Sequence, residues 1–155
     1  MFRGATKVTL DDKGRTVMPT RYREQISVES AGKLIVTVDV ATDDRERCLL
    51  IYPAPEWDKT EQKLMSLPSL HPQSRRLQRL MVGHAADVEL DGHGRFLLSQ
   101  ELRDFAGLQK AGMLVGQGNR FELWDETRWN EQRDKWLKSE ETLTDLPSEL
   151  DSLSF

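Results

Sequence analysis

The chain has 155 residues, 37% of them apolar and 31% charged, enough for one ordinary domain or two small ones with a generous polar surface. No apolar run approaches the roughly 18–20 residues of a membrane span, and the N-terminal MFRGATKVTL lacks the apolar core of a signal peptide. The single cysteine, Cys48, excludes an intrachain disulfide and points to a reducing, cytoplasmic setting.

The net charge of −4 argues against a nucleic-acid partner only until its distribution is read. Ser139–Phe155 holds five acids and no base, so the rest of the chain carries +1. Met1–Gln25 sets Arg3, Lys7, Lys13, Arg15, Arg21 and Arg23 against Asp11, Asp12 and Glu24. Local potential, not the total, decides whether a phosphate backbone is attracted.

Lys7–Leu10 alternates and predicts a strand. Asp12-Lys13-Gly14-Arg15 predicts a tight turn, because Gly14 tolerates φ > 0. Thr16–Met18 predicts a returning strand stopped by Pro19. The two strands are expected to pair as a hairpin with the charged motif at its tip. Thr20 is expected to cap a short helix, Arg21–Ile26. Leu34–Val40 and Cys48–Tyr52 predict further strands. Pro55 suits the first turn of a helix over Glu56–Ser66, with Trp57, Leu64 and Met65 as its apolar stripe. Pro68–Pro72 is a linker and Ser74–Leu80 a basic helix with Arg75, Arg76 and Arg79. The order then repeats, closing with a helix, Glu126–Lys138, expected to turn Trp129, Trp136 and Leu137 inward. Ser139–Phe155 is expected to be frayed or weakly helical.

The repeat is explicit at an offset of eighty: Ala5, Val8, Leu10, Asp11, Gly14 and Arg15 return as Ala85, Val88, Leu90, Asp91, Gly94 and Arg95. AGKLIV (Ala31–Val36) returns as AGMLVG (Ala111–Gly116). The offset then falls to seventy-two, aligning Trp57 with Trp129, so the first copy carries eight extra residues within Thr37–Arg47. Their charge predicts a longer exposed loop. The resulting organisation is module 1 over 1–67, a linker and basic helix over 68–80, module 2 over 81–138 and an acidic tail over 139–155. Each module is marginal as a stand-alone core, so the two are expected to pack on each other about a pseudo-twofold axis.

Catalytic chemistry finds no support in the sequence. G-x-S-x-G, the P-loop and a G-x-G-x-x-G leading into a helix are absent. His71, His84, His93 and one cysteine offer no metal-ligand spacing. Asp11 and Asp12 are strand neighbours that point to opposite faces and do not converge on one substrate. No catalytic residue, metal site, cofactor or small-molecule substrate is therefore assigned. Asp11 is read as shaping the turn, either by accepting backbone N–H bonds or by holding Arg15, four residues on. The arginines remain. A guanidinium on a projecting turn forks onto a phosphate or onto O6 and N7 of guanine, and the major groove admits a two-stranded β-ribbon.

The stretches MFRGATKVTLDDKGRTVMPTRYRE, LLIYPAPEWD and LVGQGNRFELWD resemble the MraZ family. The likeness runs from Met1 to about Leu137. It implies an α+β, mainly β fold of two SpoVT/AbrB-type modules forming a swapped-hairpin barrel within one chain. It further implies chains assembled into a ring, octameric or larger, that acts in the nucleoid as a transcriptional repressor. Such a ring would bind short G-rich direct repeats upstream of its own division and cell-wall gene cluster. The family's D-x-x-x-R motif maps onto Asp11–Arg15 and Asp91–Arg95. DNA contact is carried to Arg15 and Lys13 first, then to Arg95, Arg3 and His93. Asp11, Gly14, Asp91 and Gly94 are carried over as turn formers. The second copy departs from the first, with His93 for Lys13 and Ser99 for Pro19, and a neutral His93 would add less to phosphate binding. The competing expectation is a non-catalytic ring that serves as a scaffold for protein partners.

Overall fold

The runs KLIVTV and LLIYP carry apolar side chains on both alternating faces, and both become central strands with each face covered. The computed structural model describes residues 1–41 and 43–139. Its elements are β1 (Phe2–Thr9), β2 (Arg15–Val17), α1 (Thr20–Ser30), β3 (Lys33–Val38), β4 (Leu49–Pro53), α2 (Ala54–Met65), α3 (Pro72–Leu77), β5 (Ala86–Glu89), β6 (Arg95–Leu97), α4 (Gln100–Ala106), β7 (Ala111–Gly118), β8 (Phe121–Asp125) and α5 (Glu126–Lys138). The fold is mixed α+β, with an antiparallel six-stranded sheet in the order β1-β7-β8-β4-β3-β5 and a separate ribbon of β2 and β6.

The strand pairs cross the repeat. β1 of the first copy lies against β7 of the second, from Phe2↔Gly118 to Thr9↔Ala111. β5 of the second lies against β3 of the first, from Lys33↔Glu89 to Val36↔Ala86. The expected local hairpin is therefore corrected. The turn closes, with Asp11 N–H donating to the Arg15 carbonyl at 2.9 Å, but its arms separate at once. Leu10 N–H donates to the Lys110 carbonyl at 2.8 Å, and Thr16 pairs with Phe96. Each arm finds in the other copy the same ladder and apolar face it would have found locally, and the exchange buries Phe96 and Thr16 beneath the ribbon.

The core has two parts, one on each face of the sheet. On one, Leu34, Val36, Leu49, Ile51, Leu114, Phe121 and Leu123 meet Met18, Tyr22, Ile26, Phe96, Leu98 and Leu102 from the ribbon region and from α1 and α4. On the other, Ile35, Leu50, Tyr52, Val115 and Trp124 meet Trp57 and Leu64 of α2 and Trp129 of α5. Burial of such side chains stabilises by roughly 1.5–3 kcal/mol each.

Helix ends follow local chemistry. Pro19 precedes α1, and Thr20 is its first residue rather than a side-chain cap. In the second copy Ser99 does cap, accepting from Leu102 N–H at 3.3 Å. Gly107, with φ 63°, ends α4 about one turn earlier than α1 ends. Two expected apolar stripes need correction. Met65 is 58% and Leu137 78% exposed, and Trp136 is also exposed. Met65 and Leu137 each directly follow a residue on the packed side of their helix, and one residue turns the side chain about 100° away. Trp136 still touches Trp124 and Trp129 at ring distances of 5.7 and 6.0 Å.

The extra residues of the first copy form the connection from Val38 to Leu49, which includes a 3₁₀ turn over Asp44–Glu46; the second copy turns between Gly118 and Phe121 with Asn119 and Arg120 alone. The basic helix begins at Pro72 and runs into a π-helical stretch over Gln78–Val82. The expected acidic tail lies, beyond Ser139, outside the described residues. Among the described residues no helix is long and apolar enough to cross a membrane.

Candidate nucleic-acid interface

Asp11 shapes its turn in both of the ways the sequence left open. Oδ1 accepts from the N–H groups of Lys13 and Arg15, each at 2.9 Å, and Oδ2 accepts from Arg15 Nε at 2.8 Å. Gly14, at φ 87°, completes the turn by donating to the Asp11 carbonyl at 3.0 Å. The second copy is a replica. Asp91 accepts from His93 N–H at 2.8 Å, from Arg95 N–H at 2.9 Å and from Arg95 Nε at 2.9 Å, while Gly94 stands at φ 75°. The Arg15 backbone N–H, then its guanidinium, hold the Asp11 carboxyl below the usual range. The Arg95 backbone N–H, helped by His93 N–H and the Arg95 guanidinium, brings Asp91 down to about 2. Both turns thus keep ionised carboxylates throughout the physiological range.

These ion pairs are exposed, and such pairs add little stability. Their effect is orientation. Each Nε is occupied by its aspartate, so the guanidinium presents its Nη edge outward with four N–H donors. The β2–β6 register places Arg95 opposite Val17 and Arg15 opposite Leu97. Both guanidiniums therefore sit on one face of the ribbon, with their Cα atoms roughly 8 Å apart by strand geometry.

Each turn is held by the other copy. The Gly14 carbonyl accepts from Leu98 N–H at 2.9 Å and the Gly94 carbonyl from Met18 N–H at 2.8 Å. Arg103 of α4 lies against Gly14 and donates Nε to the Leu98 carbonyl at 3.2 Å. Arg23 of α1 lies against Gly94 and donates Nε to the Met18 carbonyl at 2.8 Å. A side chain on either glycine would collide with these arginines.

Comparison with known proteins settles the family. The family model described as "MraZ protein, putative antitoxin-like" matches residues 1–80 and again 81–150. The chain belongs to the MraZ family. It is 53% identical over 154 residues to a protein of Thioalkalivibrio sulfidiphilus, covering 99% of both chains. It is 50% identical over 157 residues to one of Methylococcus capsulatus, covering all of both. It is 51% identical over 155 residues to one of Escherichia coli, covering 99% of both. Each of these relatives is named "Transcriptional regulator MraZ".

In this MraZ-family chain the structure brings Arg15 and Arg95 onto one face of the ribbon, with the turns that carry Lys13, Asp11 and Gly14, and His93, Asp91 and Gly94, at its opposite ends. Lys13 and His93 are exposed at equivalent corners of the two turns. Arg3 is not brought to them. It pairs with Gln117 near the start of β1, eight residues and roughly 26 Å of extended chain from Asp11. Its carbonyl accepts the Tyr22 hydroxyl. His84 stands apart from His93, with Nδ1 2.7 Å from the Leu80 carbonyl and Nε2 3.7 Å from Glu101. Among the described residues no group of three metal-ligating side chains assembles.

The residues that sequence reasoning missed are Arg23, Arg103, Val17 and Leu97. Arg23 and Arg103 stand at the same offset of eighty as the turn motifs, and that periodicity was the signal available. Val17 and Leu97 read only as strand residues until the register put them beside the guanidiniums.

Proposed function

We propose that this protein is a non-enzymatic, sequence-specific DNA-binding transcriptional regulator. We infer that it represses the promoter of its own division and cell-wall gene cluster by binding short G-rich direct repeats. The carrying observation is the doubled Asp–Arg turn, which aims the Nη edges of Arg15 and Arg95 from one face of a two-stranded ribbon. An end-on guanidinium has the donors that O6 and N7 of guanine accept, and the ribbon has the width of the major groove. Lys13 serves the phosphates beside Arg15, and His93 serves them more weakly beside Arg95. Arg3 is too far from the turns to share their contacts and is assigned, at most, to flanking phosphate. The names of the relatives support the regulatory class.

We read modules 1–67 and 81–138 as one folding unit of swapped-hairpin type. We propose that copies of it close into a ring, in which several ribbons engage successive repeats and add their affinities through effective concentration. A ring also reconciles DNA binding with the net charge of −4, since the few phosphate contacts of each chain are multiplied.

The test is a gel shift on DNA from immediately upstream of the gene against random DNA at physiological salt. Specific binding is expected, with log K falling against log salt by about 0.9 per phosphate contacted. Arg15→Ala is expected to abolish it with the oligomer intact. Operator binding by Arg15→Ala at wild-type strength would defeat the proposal. Absence of specific binding with an intact ring would favour the protein scaffold instead.

A further inference from the structure

β2 and β6 contribute three residues each to the ribbon, and their faces differ sharply. Thr16 and Phe96 point inward and are buried. Arg15, Val17, Arg95 and Leu97 all point outward. Val17 is 41% and Leu97 54% exposed. Val17 lies directly across from Arg95 and Leu97 directly across from Arg15. Along each strand the same side chains are also two residues from the arginine of their own copy. Each apolar side chain is thus bordered by both guanidiniums, and the two copies place theirs at equivalent positions of the repeat. Neither residue belongs to the apolar core on either face of the sheet.

The chemistry of the proposed partner narrows what such side chains can touch. The floor of the major groove presents hydrogen-bond acceptors and donors from every base pair, but one apolar group, the 5-methyl of thymine. A ribbon seated there on its arginines brings Val17 and Leu97 to the same floor. Residues two apart on a strand are separated by roughly 6.7 Å, close to two base steps of about 3.4 Å. An apolar side chain therefore falls on a base pair near the one its neighbouring arginine holds.

Resting on the DNA-binding role proposed above, we infer that Val17 and Leu97 are specificity-determining residues that read thymine through its 5-methyl group, beside guanines held by Arg15 and Arg95. Guanine is selected by hydrogen bonding and thymine by apolar contact, from one four-residue face.

The experiment uses the full-length oligomer and the DNA upstream of its gene, copied by polymerase with either dTTP or dUTP. The two probes differ only in the thymine methyls, and polymerase copying leaves no methylated cytosine. Wild type is expected to bind the uracil probe about fourfold more weakly for each methyl it contacts, and therefore at least tenfold more weakly where both side chains are engaged. The Val17→Ser/Leu97→Ser variant is expected to bind both probes equally, near the wild-type affinity for the uracil probe. Its fold and assembly are checked by circular dichroism and light scattering, and Leu97→Ser alone is expected to lose about half of the discrimination on a logarithmic scale. Equal binding of the two probes by wild type overturns the inference without use of any variant. Full discrimination retained by the double variant overturns it too, because the uracil effect then arises from DNA shape. Failure of wild type to prefer the thymine probe over random DNA is a different result, which defeats the DNA-binding role itself.

Discussion

Three glycines of the two turns permit a graded test of the crosswise contacts. Gly14 stands at φ 87°, and a Cβ there would lie 2.5 Å from Arg103 Nε and 2.8 Å from the Leu98 carbonyl oxygen. Gly94 stands at φ 75°, and the three atoms nearest its Cβ would all be Arg23's, with Nε at 2.3 Å, Cζ at 2.7 Å and Cδ at 2.8 Å. Gly92, two residues earlier in the same turn, has nothing within 4 Å of its Cβ. Alanine at Gly14 or Gly94 incurs about 1–2 kcal/mol for left-handed backbone. At Gly14 the methyl also presses on a main-chain carbonyl that cannot swing aside, and overpacking of that kind adds roughly 1–3 kcal/mol. At Gly94 the arginine can move, at the loss of its bond to the Met18 carbonyl, about 0.5–1.5 kcal/mol. The expected order of destabilisation is Gly14→Ala, then Gly94→Ala, with Gly92→Ala within about 0.5 kcal/mol of wild type. For a chain of this size 1 kcal/mol shifts Tm by roughly 2–4 °C, so Gly14→Ala is expected to melt about 10 °C lower. Scanning calorimetry on the three variants reads the series. If Gly14→Ala melts with Gly92→Ala, the turn is not clamped by the opposite copy and the crosswise account fails.

Two further outcomes test the same region. Because the three atoms nearest the Gly94 Cβ all belong to Arg23, Arg23→Ala combined with Gly94→Ala is expected to cost less than the sum of the single changes, by roughly 0.5–1.5 kcal/mol in a denaturant cycle; additivity would show that Arg23 does not press on that turn. The Asp91 carboxyl is lowered from the ordinary aspartate value of 3.8 to about 2. A depressed folded-state value means that its contribution is complete above the unfolded value and is lost as pH falls from 3.8 through about 2. The difference in denaturant midpoint between wild type and Asp91→Asn is therefore expected to be constant from pH 8 to pH 5 and to narrow only below about pH 4. Narrowing between pH 7 and pH 5 would contradict the carboxylate cage.

Much of this site could be read from the sequence because its parts are local. An aspartate, a glycine three residues on and an arginine four residues on make a turn whose bonds close within five residues, and the offset of eighty announces the second one. The apolar runs Leu34–Val40 and Cys48–Tyr52 identified strands for the same reason. Strand exchange was not legible in the residue pattern and entered only through the family resemblance. Val8 and Val88, and Leu10 and Leu90, offer matching apolar faces, so local and crossed pairing satisfy the same pattern. One mark of it was present: Gly116 stands where the first copy has Val36. β1 passes so close there, with Gly4 facing Gly116, that a Cβ would strike the Arg3 backbone. The stripes on α2 and α5 were over-assigned because Met65 and Leu137 were grouped by adjacency, and a helix sorts its residues by angle.

The crossed pairing has a consequence for how the two Asp–Arg tips can change. In a dimer of identical modules any substitution appears at both tips at once. Here each tip is encoded separately while its footing is supplied by the opposite half, so one can drift without altering its twin. The chain already carries that asymmetry, with His93 opposite Lys13, Ser99 opposite Pro19 and a helix α4 shorter than α1. A single polypeptide thus holds two independently adjustable turns on one shared frame, and under the proposed DNA-binding role a lopsided target sequence is as accessible to it as a palindrome.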